Sequence, residues 1–147
     1  MDIIIDIDGT VADAEHRMHL IAQRPKNYDE FYRLVANDKP IIPVIRTVRA
    51  WQAAQFRLIF CTGRPEKTRA DTEAWLVGHV LQCGSPKLYM RADNDYRPDT
   101  RVKTEAYEKM LAEGFKPVLA IDDRPRICKM WKELGLTVLR VGEHDDF

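Results

Sequence analysis

Two aspartates follow the first apolar run of the chain, with one residue between them. Asp6 and Asp8 come after the isoleucines at 3–5 and are followed by Gly9. Because side chains alternate along a strand, the two carboxylates would lean the same way where the strand ends. Two carboxylates repel each other unless a cation lies between them. The spacing predicts a metal site; the alternative is a turn at Asp8-Gly9 with Asp6 exposed at a strand edge.

A second acidic pair, Asp122 and Asp123, follows the apolar run 118–121. Four carboxylates at strand ends offer hard oxygen ligands, and no thiol or imidazole accompanies them at ligand spacing. Such a set suits Mg²⁺. The alternative for this pair is a turn or a helix cap before Arg124-Pro125.

Two other features could bind an anion near these acids. Thr62 and Gly63 follow the run 58–61 and would offer a hydroxyl and backbone N–H groups at the start of a helix. Lys103 stands near the start of a later helical segment, where a cation opposes the helix dipole. A phosphate contact would explain its position; an ordinary turn and an exposed surface lysine are the alternatives.

Composition limits the class of protein. The chain has 147 residues, of which 45% are hydrophobic, so it is expected to form one domain over residues 1–147. Lys plus Arg and Asp plus Glu both number 23, so no overall charge attracts it to nucleic acid or to a membrane. The 3 cysteines lack metal-site spacing and predict free, buried thiols in a reducing compartment, hence a soluble cytoplasmic protein.

The apolar runs alternate between strand-like and helix-like periods. This predicts an α/β domain with a mostly parallel sheet of about five strands and helices on both faces. The predicted strands are 3–5, 58–61, 87–90, 118–121 and 137–141, with helical spacing in 44–51, 74–81, 107–111 and 127–134. In such a sheet the ligand site forms at the carboxyl ends of the strands. The segment at about 12–40 breaks the alternation and is interpreted as a small helical lid.

Four segments together resemble the motifs of the haloacid-dehalogenase phosphatase superfamily. They are residues 6–11, residues 61–64, Lys103 and residues 121–123, in that order. The chain also resembles the 3′-phosphatase domain of phage-type polynucleotide kinase in residues 90–105, in 122–135 and in its ending at 142–147. These 147 residues contain no GxxxxGK[ST] loop, so they include no kinase half, and the ending is longer than in that family.

The resemblance implies a Mg²⁺-dependent phosphomonoesterase. Asp6 would be the nucleophile that forms an aspartyl-phosphate, and Asp8 would be the general acid and base, a role that requires a raised pKa. Lys103, Thr62 and Gly63 would stabilise the transferring phosphoryl group. The metal ligands would be Asp6, Asp8, Asp122 and Asp123, and the arginines implied in substrate binding are Arg17, Arg64 and Arg91.

The expected substrate is a phosphorylated 3′ end of DNA or RNA, and a separate kinase or ligase is the expected partner. A nucleotidase or small-molecule phosphatase with the same chemistry is the first alternative. A non-catalytic phosphorylation switch or binding module is more distant, because receiver domains place the acceptor aspartate after a middle strand.

Overall fold

A parallel sheet forms the centre of the protein, whose computed structural model describes residues 1–143. Its five strands, in spatial order, are β5 (Lys87–Arg91), β4 (Arg57–Pro65), β1 (Asp2–Ile5), β6 (Pro117–Asp122) and β7 (Thr137–Arg140). Neighbouring strands pair in parallel throughout this sheet. The predicted α/β class and sheet are confirmed.

Helices cover both faces of the sheet. The helices α3 (Ile42–Ala53) and α4 (Arg69–His79) pack on one face, and α5 (Asp99–Ala112) and α6 (Pro125–Glu133) pack on the other. In β1, Ile3 and Ile5 belong to the first core, whereas Ile4 belongs to the second. The strand is continuously apolar because both of its faces are buried.

The strand order reverses at β1. The chain places β4 on one side of β1 and then returns to place β6 on the other side. A crevice forms at the carboxyl ends of strands where the order of an open sheet reverses. The residues that directly follow β1 and β6 therefore lie together, as the sequence predicted.

The segment predicted as a lid contains two short helices, α1 (Glu15–Ala22) and α2 (Tyr28–Arg33), and a 3₁₀ turn at Val35–Asn37. Its ends pair as two antiparallel strands, β2 (Ala12–Asp13) and β3 (Lys39–Pro40). Strands of two residues leave no periodic signal in a sequence, so this pair was not predicted. The assignment of all 147 residues to one domain stays a prediction.

The second long strand extends further than predicted. β4 continues through residues 62–65, a 3₁₀ turn follows at Glu66–Thr68, and α4 begins only at Arg69. The expectation that Thr62 and Gly63 start a helix is therefore wrong. Arg64 precedes Pro65, and a residue before proline disfavours the helical conformation. Between Cys61 and Pro65 the pairing with β5 shifts its register, which makes room for the 62–64 segment at the sheet edge.

The remaining sequence expectations concern the cysteines, membrane-spanning helices and the C-terminal segment. Cys61 and Cys128 are buried free thiols as expected, but Cys83 is exposed. No helix within residues 1–143 is long and apolar enough to cross a membrane. The end of the family-like terminal segment, residues 144–147, lies outside the described residues.

Candidate active site

Three of the four predicted acids meet at the carboxyl ends of β1 and β6. Asp6, Asp122 and Asp123 are buried, and one carboxylate oxygen from each lies within 4.8 Å of the others. Asp122 ends β6, and Asp6 follows β1 and extends its ladder by donating its backbone N–H to the Ile121 carbonyl oxygen at 3.0 Å. The central sheet therefore fixes the backbone of this cluster. The Asp8 carboxylate does not belong to it.

Lys103 supplies a positive charge to this cluster. Its ammonium lies 2.7 Å from Asp6 Oδ1 and 2.8 Å from Asp122 Oδ2. Burial would lower the pKa of Lys103, but the charges of Asp122 and Asp6 outweigh it and raise the pKa well above its usual value. Lys103 therefore stays charged. It lies in the second turn of α5, where the helix dipole opposes a cation, but the carboxylates of Asp6 and Asp122 stabilise its ammonium.

The cluster carries more negative than positive charge. Burial and then the charge of Asp122 raise the pKa of Asp6 well above its usual value, and the same two causes raise the pKa of Asp123 to about 6. Asp123 Oδ1 is buried without a hydrogen-bond partner among the described residues. A buried carboxylate oxygen without a partner is costly. The donor set, with its excess charge and its unused oxygen, fits a divalent cation held by Asp6, Asp122 and Asp123.

Gly9 allows the loop after β1 to pass close to this cluster. Its φ of +80° lies in the left-handed region, and a Cβ built on it would fall 2.1 Å from Asp123 Oδ2. Glycine is therefore required here both by the backbone conformation and by the approach of Asp123.

Asp8 faces two arginines. Its Oδ1 accepts from Arg17 Nη2 at 2.5 Å and from Arg64 Nη2 at 2.8 Å, and its Oδ2 accepts from Arg64 Nε at 3.0 Å. Burial alone would raise the pKa of Asp8, but the charge and hydrogen bonds of Arg64, followed by the charge of Arg17, hold it well below its usual range. The raised pKa expected for Asp8 is therefore wrong for the substrate-free protein, because the expectation did not include these two cations.

A buried aspartate that the sequence analysis did not identify fixes both arginines. Asp38 accepts from Arg17 Nε and Nη2 and from Arg64 Nη2, each at 2.7 Å. The side chains of Arg17 and Arg64 have 0% exposed surface. Trp75 Nε1 donates to the Asp38 carbonyl oxygen at 2.8 Å, which ties the segment to α4. Both arginines therefore contact carboxylates of the protein, and their side chains are buried, although Arg64 borders the cleft.

A second aspartate that was not predicted, Asp99, organises the other wall. It pairs with Arg91 and with Arg124, and the position of a Cβ on Gly63 would lie 2.7 Å from its Oδ1. Burial would raise the pKa of Asp99, but Arg124, Lys103 and Arg91 lower it, so it stays ionised. Arg91 also donates to the Gly63 carbonyl oxygen at 3.0 Å. Asp99 thus connects the start of α5 with the 62–64 segment of β4.

Thr62 and Gly63 lie beside the acidic cluster at the end of the regular part of β4. Thr62 is buried, and its hydroxyl accepts from the Arg64 backbone N–H at 3.2 Å. Gly63 lines the cleft together with Asp6 and Lys103. The structure therefore brings Gly63 to the cleft, with the buried Thr62 next to it in the chain, on a strand end and not on a helix.

A cleft of about 1030 Å³ opens above these residues. The lid, with Tyr28, Phe31 and Tyr32, and the loop at 92–98 both line it. A phosphate group alone would occupy a small part of this volume, so the cleft has room for a larger molecule.

The chain is similar to known proteins both in sequence and in structure. A family described as the polynucleotide kinase PNKP phosphatase domain matches residues 1–147. A chain in a structure of the Pnkp1/Rnl/Hen1 complex is 27% identical with a TM-score of 0.78, over 99% of this chain and 46% of that one. A chain in a structure of the Pnkp1/Rnl/Hen1 RNA repair complex is 28% identical with a TM-score of 0.78, over 99% of this chain and 43% of that one.

The fold also occurs in an enzyme of much lower sequence identity. The class C acid phosphatase from Bacillus anthracis matches with a TM-score of 0.68 and 11% identity, over 99% of this chain and 68% of that one. At this identity the match shows the fold alone. The chain spans less than half the length of the two similar chains from the Pnkp1/Rnl/Hen1 structures.

Proposed function

The chain belongs to the family of polynucleotide kinase PNKP phosphatase domains, and on that basis we propose that it removes phosphate from the 3′ ends of nucleic acids. It is a phosphatase domain of the haloacid-dehalogenase type. The observation that supports the chemistry best is the buried group of Asp6, Asp122 and Asp123 with Lys103 between two of them.

The proposed cofactor is Mg²⁺, with Asp6, Asp122 and Asp123 as its carboxylate ligands. A bound divalent cation would keep these carboxylates ionised and offset the repulsion between Asp6 and the phosphoryl oxygens. Asp8, also expected as a ligand, is left out of this set because its oxygens accept hydrogen bonds from Arg17 and Arg64.

Asp6 is the proposed nucleophile. Its Oδ1 accepts from Lys103 and its Oδ2 accepts from the Thr10 hydroxyl at 3.2 Å, which orients the carboxylate. An oxygen of Asp6 attacks phosphorus and forms an acyl phosphate, while the bond from phosphorus to the 3′ oxygen breaks. Water then attacks the acyl phosphate, which releases inorganic phosphate and regenerates the Asp6 carboxylate.

Asp8 is the proposed proton donor and acceptor. It gives its proton to the departing 3′ oxygen and later takes one from the attacking water, so the cycle is balanced. The two arginines favour the ionised form of Asp8 in the substrate-free protein. A phosphate dianion bound beside Asp8 opposes their effect, because an added negative charge favours the protonated form.

Thr62, Gly63 and Lys103 are proposed to hold the phosphoryl oxygens. The Thr62 hydroxyl and the Gly63 N–H would donate to the phosphoryl oxygens, and the Lys103 ammonium would balance the charge that develops as phosphorus is transferred. Arg17 and Arg64 are proposed to position Asp8 rather than to bind substrate, since both are buried against Asp8 and Asp38. Arg91, on the cleft wall, stays a proposed substrate contact.

The biological setting is a further part of the proposal. One of the two similar structures is described as an RNA repair complex. We propose that this chain also takes part in repair of nucleic-acid ends in the cytoplasm, with a separate kinase or ligase that acts on the product. The free 3′-hydroxyl that the reaction leaves is the chemical group that end joining requires.

A substrate panel tests the proposal. The purified chain with Mg²⁺ should release phosphate from a 3′-phosphorylated oligonucleotide with a kcat/KM at least about tenfold above that for a 5′-phosphorylated oligonucleotide or for mononucleotides. EDTA should abolish the activity. Faster turnover of free mononucleotides would contradict the proposal and favour the nucleotidase. An aspartyl-phosphate that persists without turnover would favour a phosphorylation switch.

A further inference from the structure

Two tyrosines on the lid form a stack that leads out of the cleft. Tyr28 and Tyr32 lie four residues apart on α2, and their ring centroids are 6.2 Å apart with an angle of 20° between the planes. This is the offset-stacked arrangement that aromatic rings favour. Tyr32 covers part of Tyr28, and 45% of the surface of Tyr28 remains exposed.

The inner member of this stack is the more deeply placed of the two tyrosines, within range of the charges of the site. Burial raises the pKa of the Tyr32 hydroxyl to about 12, and the charges of Asp8, Arg91 and Asp99 act on it. Tyr32 and Tyr28 both line the cleft that contains Asp6 and Lys103. The stack therefore forms part of the cleft wall, and its exposed ring is that of Tyr28.

The fold does not need the ring of Tyr28. Phe31 is the aromatic residue that anchors the lid, since it is buried and the Arg17 guanidinium lies 4.2 Å from its ring centroid. Lys26 Nζ is 3.5 Å from the Tyr28 hydroxyl but 5.8 Å from its ring centroid, so the ammonium lies beyond the hydroxyl and leaves the ring uncovered. Lys26 pairs with no carboxylate in residues 1–143 and stands at the cleft mouth as a cation.

A third tyrosine lines the cleft from a different segment. Tyr96, in the 92–98 loop, is 88% exposed and lines the same cleft. Lys67 links the two walls: its ammonium lies 2.9 Å from Asp29, next to Tyr28, and its backbone N–H donates to Asp93 in the 92–98 loop at 2.9 Å. Tyr28 and Tyr96 are therefore exposed rings of one cleft, on two segments that Lys67 holds together.

We propose that Tyr28 and Tyr96 are stacking contacts for unpaired nucleobases near the 3′ end of a single-stranded polynucleotide. The proposal rests on the proposed function, because it assumes that a 3′-phosphate occupies the site at Asp6. Flat, exposed rings beside a cation are the features with which proteins hold single strands without reading their sequence, since every base has a face that can stack. A base on Tyr28 would continue the ring stack that Tyr32 begins, and Lys26 would meet the neighbouring backbone phosphate.

Removal of each ring and of the bases tests this proposal. Tyr28→Ala and Tyr96→Ala should each lower kcat/KM about tenfold for a single-stranded 3′-phosphorylated oligonucleotide. Tyr28→Trp should restore it. Turnover of para-nitrophenyl phosphate should be unchanged in all three variants, because that substrate has no nucleobase. Leu111→Ala, at a residue that is 47% exposed on α5 and outside the cleft, is the matched control and should change neither substrate.

The same oligonucleotide without its last two bases completes a double-mutant cycle. Wild type should process it about 100-fold less well, because both stacking contacts are lost, and the alanine variants should be no worse than wild type on this substrate. An equal loss on substrates with and without bases would show that the tyrosines act on the lid or the backbone, which would overturn the proposal. Full activity of both alanine variants on the intact oligonucleotide would overturn it as well, with the proposed function unaffected. Wild type that hydrolyses para-nitrophenyl phosphate but no 3′-phosphorylated oligonucleotide would instead disprove the proposed function, and this inference with it.

Discussion

The aspartates of the site are one residue type in two different environments. Asp8 faces two guanidinium groups that lower its pKa, whereas Asp6 and Asp123 are buried near other carboxylates, which raises theirs. The environment of each carboxylate therefore decides which is neutralised by two arginines and which belongs to a cluster with the excess negative charge that suits a metal ion. The spacing of the aspartates along the chain predicts where they lie in the fold, but it does not predict which charged groups surround each carboxylate.

Asp6→Asn should abolish turnover and leave the fold intact. The amide has the shape of the carboxylate but is no nucleophile, and loss of one charge relieves repulsion by Asp122, while Lys103 keeps Asp122 as its partner. We expect kcat to fall at least about 1,000-fold. Steady-state kinetics and a melting curve of the variant measure both effects. Activity within tenfold of wild type in a folded variant would remove Asp6 from the nucleophile role.

Asp8→Asn should separate proton transfer from binding. General acid catalysis typically contributes about 10²–10⁴-fold, and a good leaving group needs little of it. The formation of the acyl phosphate should therefore slow much more with an alkyl phosphate than with an aryl phosphate. Rapid-quench measurement of the first turnover isolates this step. An equal loss on both substrates would show that Asp8 serves only to orient its neighbours.

Two arginines of the site should respond differently to alanine substitution. Arg17 is buried between Asp8 and Asp38, so Arg17→Ala should lower activity by a similar factor on an oligonucleotide and on an aryl phosphate. Arg91 lines the cleft, so Arg91→Ala should impair the oligonucleotide more, because remote contacts orient the reacting end. The ratio of kcat/KM values for the two substrates measures the difference. If both variants changed the ratio of the two kcat/KM values equally, Arg17 would not differ from Arg91 in its role, which would contradict this prediction.

Asp38 and Asp99 show why part of the site could not be predicted. Neither follows an apolar strand: Asp38 lies at the end of the lid, and Asp99 opens α5. Only the fold brings Asp38 to Arg17 and Arg64, and Asp99 to Arg91 and Arg124. Asp6, Asp122 and Lys103 could be identified because strand ends or a family motif marked them.

Among the elements, the strands were the most predictable part. All five strands of the central sheet were expected, because a strand buried on both faces is a short continuous apolar run. The prediction was less accurate where the chain leaves the sheet: β4 continues through Pro65, and β2 and β3 have only two residues each. Side-chain periodicity does not determine such segments, which depend on tertiary pairing.

The turn after β1 can be tested with a pair of glycines. Gly9 and Gly84 have nearly the same φ, +80° and +79°, but a Cβ on Gly84 would meet nothing within 4 Å, whereas one on Gly9 would meet Asp123. Both alanine variants carry a backbone penalty of about 1 kcal/mol. Only Gly9→Ala should also displace Asp123 and lower activity, at least about tenfold. Melting curves and kcat measure the two effects, and loss of activity in Gly84→Ala alone would contradict the assignment.

At the scale of the whole molecule, the site depends on segments that are distant in the chain. Residues after β1, in α1, at the end of the lid and in β4 form the group around Asp8, while β6 and α5 complete the acidic cluster. The chain has no net charge, so its attraction for an anionic substrate is local to the cleft. Loss of the lid would therefore remove Arg17 and Asp38 as well as the proposed stacking surface.

The acidic cluster should make the stability of the metal-free protein depend on pH. The pKa of Asp123 is raised from 3.8 to about 6, so its protonated form stabilises the fold below about pH 4, and this contribution is lost as the pH rises through about 6. The lowered pKa values of Asp8 and Asp99 act in the opposite sense, because their contribution is lost in acid. With EDTA present, the free energy of unfolding should therefore be highest near pH 4 and should fall as the pH rises from about 4 to about 6.

Mg²⁺ should replace the proton that the cluster takes up, and so should stabilise the protein more at pH 7.5 than at pH 5. Melting temperatures with MgCl₂ and with EDTA at both pH values measure this difference. Asp123→Asn is the matched variant: it keeps the shape but removes the titrating carboxylate. It should melt higher than wild type at pH 7.5 in EDTA and should respond less to Mg²⁺. An equal Mg²⁺ response at both pH values, or an unchanged response in Asp123→Asn, would show that the cation does not bind at this cluster.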